Sequence, residues 1–231
     1  MLDYSQGKIF LAAERGHMET DSFRSFSTFN FGSYQHPIKT PVASLYLLND
    51  DTLAGKQNVS LEIEEPTDIL LIPVVGAITY SDDTGNESFI EAGQAQLHAV
   101  AAGSTIRITN PYEDELVNFI QFWFKRYSNK DYEPIIHRFN IDQHKNTLVP
   151  LFSNHPGTQP KVYIGKFWGR QEIAYKRTFP EGKLFVFVLE GAFEVQYRLL
   201  ETRDGLALSG VDEIEIEALS NNAIIIMVEM P

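Results

Sequence analysis

No cysteine occurs in the 231 residues, which removes disulfides, thiolate nucleophiles and thiolate metal ligands from consideration. No apolar run approaches the roughly 18 residues of a membrane-spanning helix. Met1 leads into polar residues rather than the basic start and apolar core of a signal peptide, so a cytoplasmic protein with no membrane partner is expected. Basic residues are also scarce: 19 Lys and Arg stand against 31 Asp and Glu, a formal charge of -12. A grip on phosphate backbones needs clustered cations, so no direct nucleic-acid partner is expected. A nucleophile elbow, a phosphate-binding glycine loop and a His-x-His pair are missing too. His17, His36, His137, His144 and His155 are scattered without metal-ligand spacing.

What is present is a succession of short apolar segments separated by turn residues, with 43% hydrophobic content. Such a pattern predicts an all-β protein. Candidate strands of the first half are Leu45 to Leu48, Ile69 to Val75, Ile78 to Ser81, Leu97 to Val100, Ile106 to Thr109 and Val117 to Lys125. Those of the second half are Val162 to Trp168, Gln171 to Phe179, Leu184 to Leu189, Phe193 to Leu199, Glu213 to Glu217 and Ala223 to Met230. A strand-Gly-Ala-strand element occurs in both halves, at Gly76-Ala77 and at Gly191-Ala192. The polar stretch from Tyr127 to Pro134 reads as a crossover, which places domains at residues 1–130 and 131–231. Asp142 to Pro160, with three prolines, is expected to be a loop with a short helix.

Several pieces together resemble the pirin-like bicupins. Near the N-terminus are Glu14-Arg15-Gly16-His17 and Ser27-Thr28-Phe29-Asn30-Phe31-Gly32-Ser33-Tyr34, the latter similar to that family's HTFSF-x-x-Y stretch. Then come Asn49-Asp50-Asp51, Gly76, Asp82-Asp83-Thr84-Gly85-Asn86, Ala92-Gly93, Asn110-Pro111 and Gln121-Phe122-Trp123, followed by C-terminal runs at Asp204 to Leu208 and Met227 to Pro231. The resemblance implies two tandem cupin barrels (jelly rolls, or double-stranded β-helices), with chain ends that cross between domains. Such proteins hold one metal ion in the N-terminal barrel with a His-x-His pair and a His-x-Glu pair. Residues two apart on a strand face the same way, so two pairs deliver four ligands. The first pair corresponds to Glu62 and Glu64, the second to Ile106 and Ile108, or to Ile108 and Asn110 if the preceding loop slips by two residues. Isoleucine has no lone pair to donate, and too few donors remain for a tight transition-metal site.

The resemblance therefore points to a bicupin with a degenerate metal site and no cofactor, acting as a non-catalytic module for a small molecule or a protein partner. The alternative is a metal-dependent dioxygenase similar to the quercetin 2,3-dioxygenases, holding one divalent ion on Glu62, Glu64 and His98. A candidate pocket comprises Glu62, Glu64, His98, Ile106 and Ile108. Alternation along Leu61-Glu62-Ile63-Glu64 also suits a solvated face with its leucine and isoleucine turned inward. Likewise His98, in line with Gln94 and Gln96, suits a structural role satisfied by an ordinary hydrogen bond. The aromatics Phe23, Phe26, Phe29, Phe31 and Tyr34 suit either a cleft or packing between sheets. The same choice applies to Tyr175, Arg177, Phe185 and Phe187. The oligomeric state is left open.

Overall fold

A computed structural model describes residues 6–127, 132–153 and 160–231. The first strand among the described residues is β1 (Gln6–Phe10). The chain divides into two compact units, one of Arg15–Phe139 and one that joins the N-terminal segment up to Glu14 to Asn140–Pro231. This differs from a linear cut at residues 130 and 131, for two reasons visible in the strand pairing. Residues after 131 still add a strand to the first barrel, while β1 belongs to the second.

In the first unit the strands are β2 (Gly16–Glu19), β3 (Phe23–Ser27), β4 (Leu45–Leu53), β5 (Asn58–Glu62), β6 (Thr67–Val75), β7 (Ala77–Asp82), β8 (Glu87–Glu91), β9 (Gln94–Val100), β10 (Thr105–Thr109), β11 (Val117–Lys125) and β12 (Ile135–Arg138). A seven-stranded sheet in the order β12-β9-β6-β11-β4-β3-β2 faces a four-stranded sheet in the order β5-β10-β7-β8. The two inner faces meet in a core that includes Leu47, Ile69, Leu71, Ile78, Tyr80, Ile106, Ile108, Phe119 and Trp123. Each of these alternates with a residue on the opposite face, as the pleat requires.

The second unit continues with β13 (Leu148–Phe152), β14 (Lys161–Phe167), β15 (Glu172–Lys176), β16 (Lys183–Glu190), β17 (Phe193–Val195), β18 (Arg198–Leu200), β19 (Gly205–Ser209), β20 (Glu213–Ala218) and β21 (Ala223–Met230). Here a six-stranded sheet, β1-β19-β16-β21-β14-β13, faces a four-stranded one, β15-β20-β17-β18. Their shared core is apolar, built from residues such as Leu184, Val186, Phe193, Ile214, Ile225 and Met227. The expected all-β fold of two cupin barrels is thus present. The crossing of the chain end is also seen, since β1 pairs antiparallel with β19 from Gln6↔Ser209 to Phe10↔Gly205. Asp204 fastens this segment by accepting the Ala12 N–H at 2.7 Å and the Glu201 N–H at 2.9 Å.

The repeated Gly-Ala element has one backbone solution in both barrels. Gly76 and Gly191 adopt φ of +77° and +78° at the β6–β7 and β16–β17 corners, a region that side-chain-bearing residues rarely enter. At Gly191 a Cβ would also stand 2.3 Å from Ser220 Oγ.

Two sequence expectations are corrected. The segment beginning at Asp142 contains no helix among its described residues; Leu148–Phe152 instead forms β13 against β14. Residues 154–159 of that stretch, and 128–131 of the expected crossover, lie outside the described residues. Phe193 to Leu199 is a hairpin rather than one strand. Gln196 and Tyr197 both take positive φ, 48° and 62°, and Val195 pairs with Arg198 across this two-residue turn. Two successive left-handed residues suit the twist of a tight hairpin.

Candidate functional site

Strand β5 decides what lies inside the N-terminal barrel. Its partner β10 sets the register: Leu61 lies opposite Ile106, Val59 opposite Ile108, and Glu62 opposite Thr105. Ile106 and Ile108 are fully buried, Ile63 is 1% exposed, and Val59 and Leu61 pack against the same core. Glu62 and Glu64 therefore turn outward and are exposed. Turning the two carboxylates inward would put two isoleucine- or leucine-sized side chains in water. Each such burial is worth about 1.5–3 kcal/mol, and buried carboxylates without partners add a further cost.

The candidate pocket of Glu62, Glu64, His98, Ile106 and Ile108 is consequently not assembled. The isoleucines and His98 lie on inner faces, and both glutamates lie on the outer surface. The slipped register fares no better. Asn110 is fully buried, but its amide donates to the carbonyls of Leu53 at 3.0 Å and Glu115 at 2.7 Å, and its Oδ1 accepts the Tyr112 N–H at 3.0 Å. It is occupied in shaping a loop.

A metal of the family type does not fit this wall of Val59, Leu61, Ile106 and Ile108, which offers no donor atom. Among the described residues no group of three or more His, Asp or Glu side chains is arranged to hold a metal ion.

The polar groups of the barrel lie elsewhere. On β9, Gln94, Gln96, His98 and Val100 share the inner face. The ring of His98 stacks on Tyr80 of β7 with centroids 3.7 Å apart. The imidazole is 2% exposed, and its buried Nε2 has no hydrogen-bond partner. Burial pushes the pKa of His98 down to about 4, against a weaker upward pull from Asp82, so the ring is neutral at physiological pH. One residue further in, Ser88 Oγ donates to Gln96 Oε1 at 2.8 Å and ties β8 to β9.

Beyond the Tyr80–His98 stack a cavity of about 550 Å³ opens, lined by Tyr80, Asp82, His98, Val100, Ser104 and Tyr132 among others. Asp82 anchors the turn after β7. Its carboxylate accepts the Tyr80 hydroxyl at 3.1 Å, the Thr84 N–H at 3.1 Å and hydroxyl at 2.6 Å, and the Asn86 N–H at 3.0 Å and amide at 2.9 Å. Despite partial burial, these donors hold its pKa below the usual carboxylate range. Burial, with the Asp82 carboxylate beside it, pushes the Tyr80 hydroxyl well above the usual range of tyrosine.

A second polar cluster lies on β4, β11 and β3. Asp51, fully buried, accepts a hydrogen bond from Gln121 Nε2, and Gln121 Oε1 accepts the Trp123 indole N–H at 2.7 Å. Burial pushes Asp51 up to about 7, while the Ser25 hydroxyl and the Gln121 amide pull the other way. The sequence signalled this cluster only as two fragments of the family resemblance, Asn49-Asp50-Asp51 and Gln121-Phe122-Trp123, and not as a chemical group.

Both aromatic clusters are engaged in packing. Phe29 is buried, Phe26 stacks on His17 at 4.7 Å with the Arg15 guanidinium over its ring, and Phe23 and Phe31 pack on the barrel core. In the second barrel, Phe185 and Phe187 lie on the other face of β16 from Leu184, Val186 and Val188, which line its core. Arg177 donates to the carbonyls of Gly182 and Pro180. Tyr175 instead serves Glu229, a fully buried carboxylate. Glu229 accepts from the Tyr175 hydroxyl at 2.7 Å, the Thr178 N–H and hydroxyl at 2.6 Å each and the Phe179 N–H at 2.8 Å. These donors lower its pKa against the effect of burial.

Comparison with known proteins agrees with this two-barrel reading. Residues 158–230 match the quercetinase C-terminal cupin domain. The chain is 24% identical to the quercetin 2,3-dioxygenase of Escherichia coli K12 over 93% of its own length and 95% of that protein's. Its fold is similar to that of YhhW from E. coli, with a TM-score of 0.85 at 20% identity over 98% of both chains. It is also similar to the structure of that bacterial pirin in complex with nickel(II), with a TM-score of 0.82 at 20% identity over 98% of this chain and 99% of that one.

Proposed function

We propose that this chain, a pirin-like bicupin by sequence and fold, is a non-catalytic binding module that has exchanged the family's metal chemistry for an apolar barrel wall. The observation that carries this reading is the inward row of Val59 and Leu61 against Ile106 and Ile108, registered strand to strand. A metal-dependent oxygenase needs several fixed donors, an open coordination position and neighbours that orient the ligands. Here the aligned strands offer hydrocarbon. The cavity beside His98, where polar groups of His98, Asp82 and Ser104 converge beside Tyr80 and Val100, supports a small-molecule ligand. In this proposal the protein works in the cytoplasm.

Oxygen uptake with quercetin as substrate tests this reading. The purified protein is assayed after incubation with each of nickel, iron, manganese, copper, cobalt and zinc. Uptake at the buffer rate with every metal is the expected result. Turnover that requires one of them, and that survives removal of excess metal, would establish the dioxygenase alternative.

A further inference from the structure

We propose that the His98 cavity of the N-terminal barrel is a binding site for a small aromatic organic cation, an arylalkyl ammonium carrying a ring hydroxyl. This assignment rests on the binding-module reading and adds the chemical class of the ligand.

The described lining carries charge of one sign. Asp82 and Glu133 bring carboxylates to the cavity, and among the described residues no Lys or Arg lines it. The one lining base, His98, supplies no compensating positive charge, because its burial keeps it neutral. Arg126 reaches the Val100 carbonyl at 3.5 Å but is matched by Asp68 at 4.0 Å. Among the described residues, an anionic ligand entering here would meet two negative charges and no lining cation. A cation would be drawn in, and more strongly as water is displaced and the local dielectric falls.

The two carboxylates have different roles. Five donors surround Asp82, and a carboxylate has only about four lone-pair sites. It contributes its field rather than a direct bond. Glu133 is exposed at the cavity rim and is positioned to meet an ammonium group.

His98, also in the lining, calls for a different group. His98 leaves a buried Nε2 without a partner, and buried polar atoms are nearly always satisfied. A neutral imidazole presents one donor and one acceptor nitrogen, so a ring hydroxyl, which both donates and accepts, matches either tautomer. Tyr80, Tyr132, Pro134 and Val100 also line the cavity. They offer apolar and aromatic surface to a ring and cation–π contact to the charge beside it. The volume of about 550 Å³ is within the range of small-molecule sites, about 300–1,000 Å³.

Three probes with one ring and different charge test this proposal: tyramine, 4-ethylphenol and 4-hydroxyphenylacetate. Each is titrated into chelator-treated protein at physiological ionic strength, with amide shifts recorded by NMR. Tyramine is expected to bind at least about tenfold more tightly than 4-hydroxyphenylacetate, with 4-ethylphenol between them, and to shift residues around Asp82, His98 and Ser104. Glu133→Gln, at an exposed position, should narrow the gap between tyramine and 4-ethylphenol. His98→Phe, which retains a ring against Tyr80, should weaken both of these at least about fivefold.

Equal affinities, a preference for the anion, or no binding by any probe would overturn the assignment. So would tyramine shifts centred on the acidic outer sheet around Glu172, Glu194, Glu215 and Glu217, where a second cavity lies. Failure here with no metal-dependent quercetin turnover would remove the ligand class alone. Metal-dependent turnover would remove the binding-module reading beneath it.

Discussion

Asp51 and His98 sit on the inner faces of one barrel, and burial moves their protonation in opposite directions. Asp51 is raised to about 7 and His98 is lowered to about 4. For Asp51 the folded state binds its proton more tightly than the unfolded state, whose carboxyl titrates near pH 3.8. Its contribution to stability is therefore present at acidic pH and is lost as the pH rises toward 7. For His98 the folded state binds the proton less tightly, so stability is lost as the pH falls from 6.5 toward 4. The two slopes oppose each other, and a variant separates them. Asp51→Asn keeps an acceptor for Gln121 and cannot ionise. In urea denaturation at a series of pH values, its stability relative to the parent should rise by about 2–4 kcal/mol between pH 4 and 8, at about 1.4 kcal/mol per unit of pKa displacement. A constant difference across that range would show that Asp51 titrates normally. The sequence did not announce this group, because nothing local distinguishes a buried aspartate from a solvated one until the strands β3 and β11 close over it.

At the level of the strand, β5 carries two conflicting signals. The family spacing turns Glu62 and Glu64 into the barrel, whereas the alternation of Leu61 and Ile63 with them turns the glutamates out. Burial energetics favour the alternation, and the pairing of Leu61 with Ile106 fixes it, since a one-residue slip would reverse every side chain. This register predicts a strong asymmetry between adjacent positions. Leu61→Asp should cost about 3 kcal/mol or more, through lost apolar burial and a carboxylate placed against hydrocarbon. Glu62→Ala should stay within about 0.5 kcal/mol, as exposed substitutions usually do. Chemical denaturation of both variants reads the difference, and the reverse order would mean that the glutamates face inward. Elsewhere, long strands such as Val117–Lys125 and Ala223–Met230 were legible from their apolar runs. Short strands such as β2 and β12, and the β17–β18 hairpin, were not, because their boundaries depend on partners far along the chain.

For the whole molecule, fold and chemistry were unequally legible. Motif order across the chain was enough to indicate two barrels. Which residues face the interior had to come from strand register, and the cavity beside His98 from the meeting of β7, β9 and the residues before β12. A fold shared with a nickel-bound bacterial pirin carries no metal chemistry by itself, since activity depends on the donors presented. In the function proposed above, the inward wall of Val59, Leu61, Ile106 and Ile108 has replaced the metal centre. Metal content tests it most directly: the untagged protein is incubated with nickel, iron, copper, zinc and manganese in turn, desalted, and analysed by plasma mass spectrometry. Well below one ion per chain is expected with every metal. One tightly held ion per chain, retained when the N-terminal segment of surface histidines His17 and His36 is substituted, would contradict it.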